Sequence, residues 1–178
     1  LFYAAFELRC GVESRMQEYL NAQKHISKQK KKGWKIAQLG KNIEQAFWKG
    51  EEIVELSVLN KASGEAIFRF YYTPVTKKLR DNTESLNAYM HAQKKPGQLN
   101  ETWWNRFRER VESVYIDLEI ANRGTLIGPP LWNPKTGELI TNMSILEDEN
   151  VNLDKLKNVI TKGSRQLLEV KYYKSFPS

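Results

Sequence analysis

The sequence predicts an α+β fold: a mainly helical bundle interrupted by a β-hairpin and followed by a small β-rich C-terminal part. Three observations carry this expectation. Apolar residues recur at threes and fours in three long segments, residues 1–23, 79–94 and 101–122. Between the first two, IVELSVLN and AIFRFYYTPV are β-branched and aromatic, with a Gly-containing turn at 61–65. Past Arg123 and Gly124 the composition shifts to GPPLW, NPKTGE and the alternating LITNMSIL. The expected division is a bundle at 1–122, with its hairpin at about 52–75, and an extension at 123–178 packed on it.

The first helix is read from Ala5, Leu8, Val12, Met16 and Tyr19, with Glu7, Arg9, Glu13, Ser14 and Gln17 on other faces. A lysine-rich stretch follows, and Ile36, Leu39, Ile43 and Phe47 restore helical spacing after Gly33. Pro74 ends the second strand of the hairpin or marks it as an edge. In the 79–94 helix, Leu79, Thr83, Leu86 and Met90 form the apolar stripe, and Pro96-Gly97 closes the segment. Asn100 is the expected N-cap of the 101–122 helix, whose core face is read as Trp104, Phe107, Val111, Val114 with Tyr115, and Leu118. A short helix at 153–161 and a final strand at 166–173 complete the reading.

A chain of 178 residues, 40% hydrophobic and 28% charged, is long enough to bury a sizeable core. Neither a bilayer span nor a secretory leader is expected, so no membrane partner is predicted. The single cysteine, Cys10, precludes an internal disulfide and fits a cytoplasmic location. With Cys10, His25 and His91 as the only soft ligands, neither a zinc site nor any other cofactor is expected. The chain has no phosphate-loop or dinucleotide motif, and two histidines with no nucleophile elbow argue against Ser or Cys triads.

Charge is unevenly placed. Residues 24–49 hold eight lysines against Glu44, as much net charge as the +7 of the whole chain. Lys24, Lys28, Lys30, Lys31, Lys32 and Lys35 are therefore the candidate nucleic-acid-binding residues; the competing reading is a solvated face. The other candidate site lies on the 79–94 helix. There Arg80, Glu84, Asn87 and His91 form a polar stripe beside the apolar one, with His91 set at the bundle seam.

YAAFELRCGVESRMQEYL, taken with LNAYMHAQKK, resembles a HEPN-type helical domain over roughly the first 120 residues. The resemblance implies a four- or five-helix bundle of the kind found in bacterial toxin–antitoxin and phage-defence systems. It implies RNA as ligand, a homodimer, and an antitoxin or nucleotidyltransferase as partner. Active members of that family are metal-independent endoribonucleases with an Arg, followed by a polar residue, and a His separated by four to six residues on one helix. Here the preceding arginine, Arg80, stands eleven positions before His91, roughly 16 Å along a helix. Asn87 lies one turn from His91, and the cation has to come from Arg9, another helix or a second subunit. The expected function is an RNA-related binding module. One alternative is an endoribonuclease in which His91 takes the ribose 2′-OH proton and Arg9 or Arg80 stabilises the phosphorane. The other is a protein-interaction or homodimer scaffold without nucleic acid.

Overall fold

The structure, a computed structural model, describes residues 1–22, 26–31, 35–47, 51–91, 100–132, 139–140 and 167–177. It is an α+β fold, mainly helical. The helices are α1 (Phe2–Ala22), α2 (Lys28–Lys31), α3 (Ile36–Phe47), α4 (Lys77–His91) and α5 (Glu101–Asn122). The strands are β1 (Ile53–Leu59), β2 (Ala66–Tyr72), β3 (Leu131–Trp132), β4 (Leu139–Ile140) and β5 (Leu167–Tyr173). The expected helix at 153–161, and most of the LITNMSIL segment, lie outside the described residues.

Local rules explain where the elements begin. Asn100 accepts a hydrogen bond from the Trp103 amide at 2.9 Å and caps α5 as anticipated. The α4 helix starts two residues earlier than the apolar stripe suggests, because Thr76 Oγ1 accepts from the Leu79 amide at 3.1 Å. Glu84 of α4 supplies the cap for α3, its carboxylate accepting from the Ala37 amide at 3.0 Å. A carboxylate at that position also complements the helix dipole. In the hairpin turn Gly64 has φ 71°, a left-handed conformation that glycine adopts without a Cβ penalty.

The α1 and α4 helices pack together, and α3 and α5 pack against both from opposite flanks. Contacts fix the directions. Phe2 meets Trp103, Trp104 and Phe107, and Arg15 meets the Ala121 carbonyl, so α1 and α5 run parallel. Lys78 pairs with Asp117 while Tyr89 meets Trp103, so α4 runs antiparallel to α5. Gly11 permits the close α1–α5 approach: a Cβ there would stand 2.9 Å from Leu118 Cδ2.

Val12, Met16, Tyr19, Leu79, Leu86, Phe107, Val114 and Leu118 are buried, as their spacing predicts. Leu8 and Met90 are only partly buried, at the rim of the core. Tyr115 is a correction: it is 59% exposed, and Val114 takes the inward position. Adjacent helix positions are about 100° apart, so only one of the two can face α1 and α4.

The sheet has the order β2-β1-β5, antiparallel throughout. The last strand therefore shares a sheet with the hairpin, and it pairs with β1 over the whole of that strand, Ile53 opposite Tyr173 and Leu59 opposite Leu167. Val54, Leu56, Val58, Phe70 and Tyr72 turn inward and join the helical core. The two-stranded pair β3–β4 stands apart from this sheet.

A buried polar junction ties the sheet to the ends of α1 and α5. Arg15, 9% exposed, donates to the Ala121 carbonyl at 3.2 Å and the Gly124 carbonyl at 2.7 Å. Its guanidinium lies over the Tyr19 ring at 4.7 Å. Tyr19 donates to the Thr73 carbonyl, and Thr73 Oγ1 donates to the Ala121 carbonyl at 2.6 Å. The Ala121 carbonyl, an orphan acceptor in the last turn of α5, is thus satisfied by side chains from elsewhere in the chain. Burial pushes the Tyr19 and Tyr72 hydroxyls up, Tyr72 well up, so both stay protonated.

Candidate functional site

The polar stripe of α4 is shared between two neighbouring helices. Arg80 is 11% exposed and pairs with Glu44 of α3 at 2.5 Å, its side chain lying against Gly40. Glu84 caps α3. Asn87 turns the other way and accepts from Arg9 of α1, whose Nε also binds Glu13 at 3.0 Å. Of the cations considered, Arg9 is the one that reaches Asn87, one turn from His91. Arg80 is committed to α3 and does not join it.

His91 departs from expectation. It is the last residue of α4 and is exposed. The Asn87 oxygen is taken by Arg9, and among the described residues no hydrogen bond to His91 is present. Glu7, another candidate neighbour, bonds Tyr3 and raises that hydroxyl's pKa, first through the hydrogen bond and then through its charge.

The described lysines of the candidate segment lie on α2, which packs against α1, and at the entry to α3. Lys28 and Lys35 are exposed; Lys31 is half-buried and donates to the Asn21 carbonyl at 3.1 Å. Lys30 belongs to α2, while Lys24 and Lys32 lie outside the described residues. Among the described residues no carboxylate pairs with Lys28, Lys31, Lys35 or Lys41, and Glu44 is already neutralised by Arg80. Among the described residues the local positive charge is therefore uncompensated.

Three further features were not singled out from sequence. A groove of about 530 Å³ between α4 and the first half of α5 is lined by Tyr89, Trp103, Arg106 and Arg110. The arginine spacing of four was a signal for a shared face, but its α4 counterpart is known only from packing. On the opposite side of α5, a groove of about 570 Å³ against α1 exposes Tyr3, Tyr115 and Ile116.

The third feature is the outer face of the sheet, centred on Glu55 of β1, which is 4% exposed. Its Oε1 accepts from Ser57 at 2.6 Å, its Oε2 accepts from Tyr173 at 3.2 Å, and Arg69 lies 3.7 Å away. Burial pushes this carboxyl up, but the hydrogen bonds from Ser57, Tyr71 and Tyr173 and the Arg69 charge outweigh it. The net result is a pKa below the ordinary carboxylate value. Burial, then the hydrogen bond to Glu55 and its charge, raise the Tyr71 and Tyr173 hydroxyls.

Among the described residues no group of three or more His, Cys, Asp or Glu side chains is placed to hold a metal ion, and no helix is long and apolar enough to cross a membrane. No protein-family model, curated protein or solved structure matches the chain.

Proposed function

We propose that this chain is a cytoplasmic RNA-binding helical module of HEPN type, belonging to a toxin–antitoxin or phage-defence system. The observation that carries the RNA reading is the uncompensated charge around α2 and the start of α3. Lysines that fold against carboxylates are spent within the protein, whereas Lys28 and Lys35 project free of any such partner among the described residues. A polyanion gains from such a surface by releasing condensed counterions. The assignment to a defence system rests on the resemblance of the first 120 residues alone.

The test is anisotropy with a single-stranded RNA over a salt series, for the wild type and for a variant with Lys28, Lys30, Lys31 and Lys32 replaced by Gln. Each lost phosphate contact should flatten the log–log salt slope by about 0.7, and unrelated sequences should lose affinity alike. Equal affinity and slope for both proteins would return the lysines to the role of a solvated face.

A second reading, a homodimer scaffold, is favoured by the apolar groove between α1 and α5, where Tyr3 is 77% exposed. Tyr3, Tyr115 and Ile116 share one groove, and aromatic residues are enriched where contiguous apolar patches meet a partner. Sedimentation of the wild type against a Tyr3→Ser, Tyr115→Ser variant decides it: a dimer that dissociates in the variant supports this reading, and a monomer in both removes it.

A further inference from the structure

The groove between α4 and α5 has a composition that neither the lysine surface nor the α4 stripe shares. Its floor is aromatic. Tyr89 stacks flat on the buried Phe107, with centroids 4.9 Å apart and planes 5° apart. Trp103 stands 5.4 Å from Tyr89 and 4.8 Å edge-on from Trp104. Both rings are held from behind yet remain partly exposed in the groove. A ligand ring stacking there would meet side chains that have already lost their freedom.

Its wall is cationic. Arg106 and Arg110 lie one turn apart on α5, about 6 Å along its axis. Arg106 is exposed. Arg110 donates to Asn82 Oδ1, and Asn82 Nδ2 in turn donates to Ser113 Oγ at 3.2 Å, so that guanidinium is aimed. Among the described residues neither arginine is in an ion pair and no carboxylate lines the groove. Guanidinium groups placed this way favour phosphate, which accepts their planar donors in pairs.

We infer that this groove binds a nucleotide unit, its base stacked on Tyr89 and Trp103 and its phosphate held by Arg106 and Arg110. This rests on the nucleic-acid reading above but uses a different surface, since α3 and α5 occupy opposite flanks of the α1–α4 pair. Stacking requires an unpaired base, so a strand entering the groove is single-stranded. A duplex offers the arginines only its phosphates. A free nucleoside monophosphate presents the same chemistry.

The experiment uses the full chain, a single-stranded oligouridylate and oligoadenylate, a duplex RNA, and adenosine monophosphate. Three variants accompany it: Arg106→Ala, Tyr89→Leu, and the fourfold lysine-to-glutamine variant, with circular dichroism confirming the fold of each. Single strands should quench tryptophan fluorescence, and Tyr89→Leu should weaken them about tenfold while leaving the duplex unchanged. Arg106→Ala, at an exposed position, should weaken single strands and flatten their salt slope by about 0.7. Competition of the strand by adenosine monophosphate identifies a free-nucleotide pocket, and strand binding without competition identifies a strand groove; both support the inference. Single-strand affinity unchanged in both groove variants but lowered in the lysine variant overturns the groove and leaves the RNA reading standing. No binding of any nucleic acid or nucleotide overturns both.

Discussion

The Arg9 guanidinium reaches from α1 to the side-chain oxygen of Asn87 on α4, one turn short of His91. This contact joins two segments 78 positions apart in sequence and sets a cation on the residue one turn before the only described histidine. His91 itself is exposed at the helix end, with no hydrogen bond among the described residues. A general base needs its ring fixed within hydrogen-bond reach of the proton it takes.

His91→Ala is therefore expected to bind RNA as the wild type does, with no cleavage by either protein. Incubation with labelled single-stranded RNA in chelator, resolved on a denaturing gel, checks this. Cleavage by the wild type that disappears in His91→Ala would instead establish the endoribonuclease and give Arg9 the role of stabilising the phosphorane.

Leu86 sits fully buried where α4 meets the rest of the bundle. Leu86→Ala removes buried methyl groups and leaves a cavity that rigid neighbours fill only in part. The expected cost is about 2–5 kcal/mol, read from the denaturant midpoint. Met90→Ala, at the partly buried rim, should cost less.

Arg15→Ala is expected to destabilise the fold by about 3 kcal/mol. The Gly124 carbonyl loses its charged donor, and Tyr19 loses the guanidinium over its ring. Ala121 retains Thr73 as donor, which limits the loss. Chemical denaturation of Arg15→Ala beside Lys77→Ala provides the comparison. Lys77 pairs with Asp81 in water, so its replacement should leave stability nearly unchanged.

Glu55 makes stability depend on acid. Its pKa is lowered in the folded chain, so its contribution is fully present above the unfolded-state value of about 4.3 and is lost as pH falls through the folded value. Thermal unfolding between about pH 2.5 and 5 should therefore show a shallower pH dependence for Glu55→Gln than for the wild type. Equal slopes would mean that the hydrogen bonds from Ser57 and Tyr173 do not favour the ionised form.

Interactions within a few residues were open to reading from the sequence. Helical spacing identified the stripe of Val12, Met16 and Tyr19, the change of period located the hairpin, and Asn100 marked the start of α5, because caps and amphipathic faces are properties of neighbouring residues. Long-range pairing is different: a stripe specifies that a face is covered but not by which element. Packing alone divided Arg80, Glu84 and Asn87 between α3 and α1, chose Val114 over Tyr115, and set β5 along β1. The groove needed packing for the same reason. Arg106 and Arg110 share a face by their spacing, but the Tyr89 ring that makes their surroundings a base-sized site arrives from a helix running the other way.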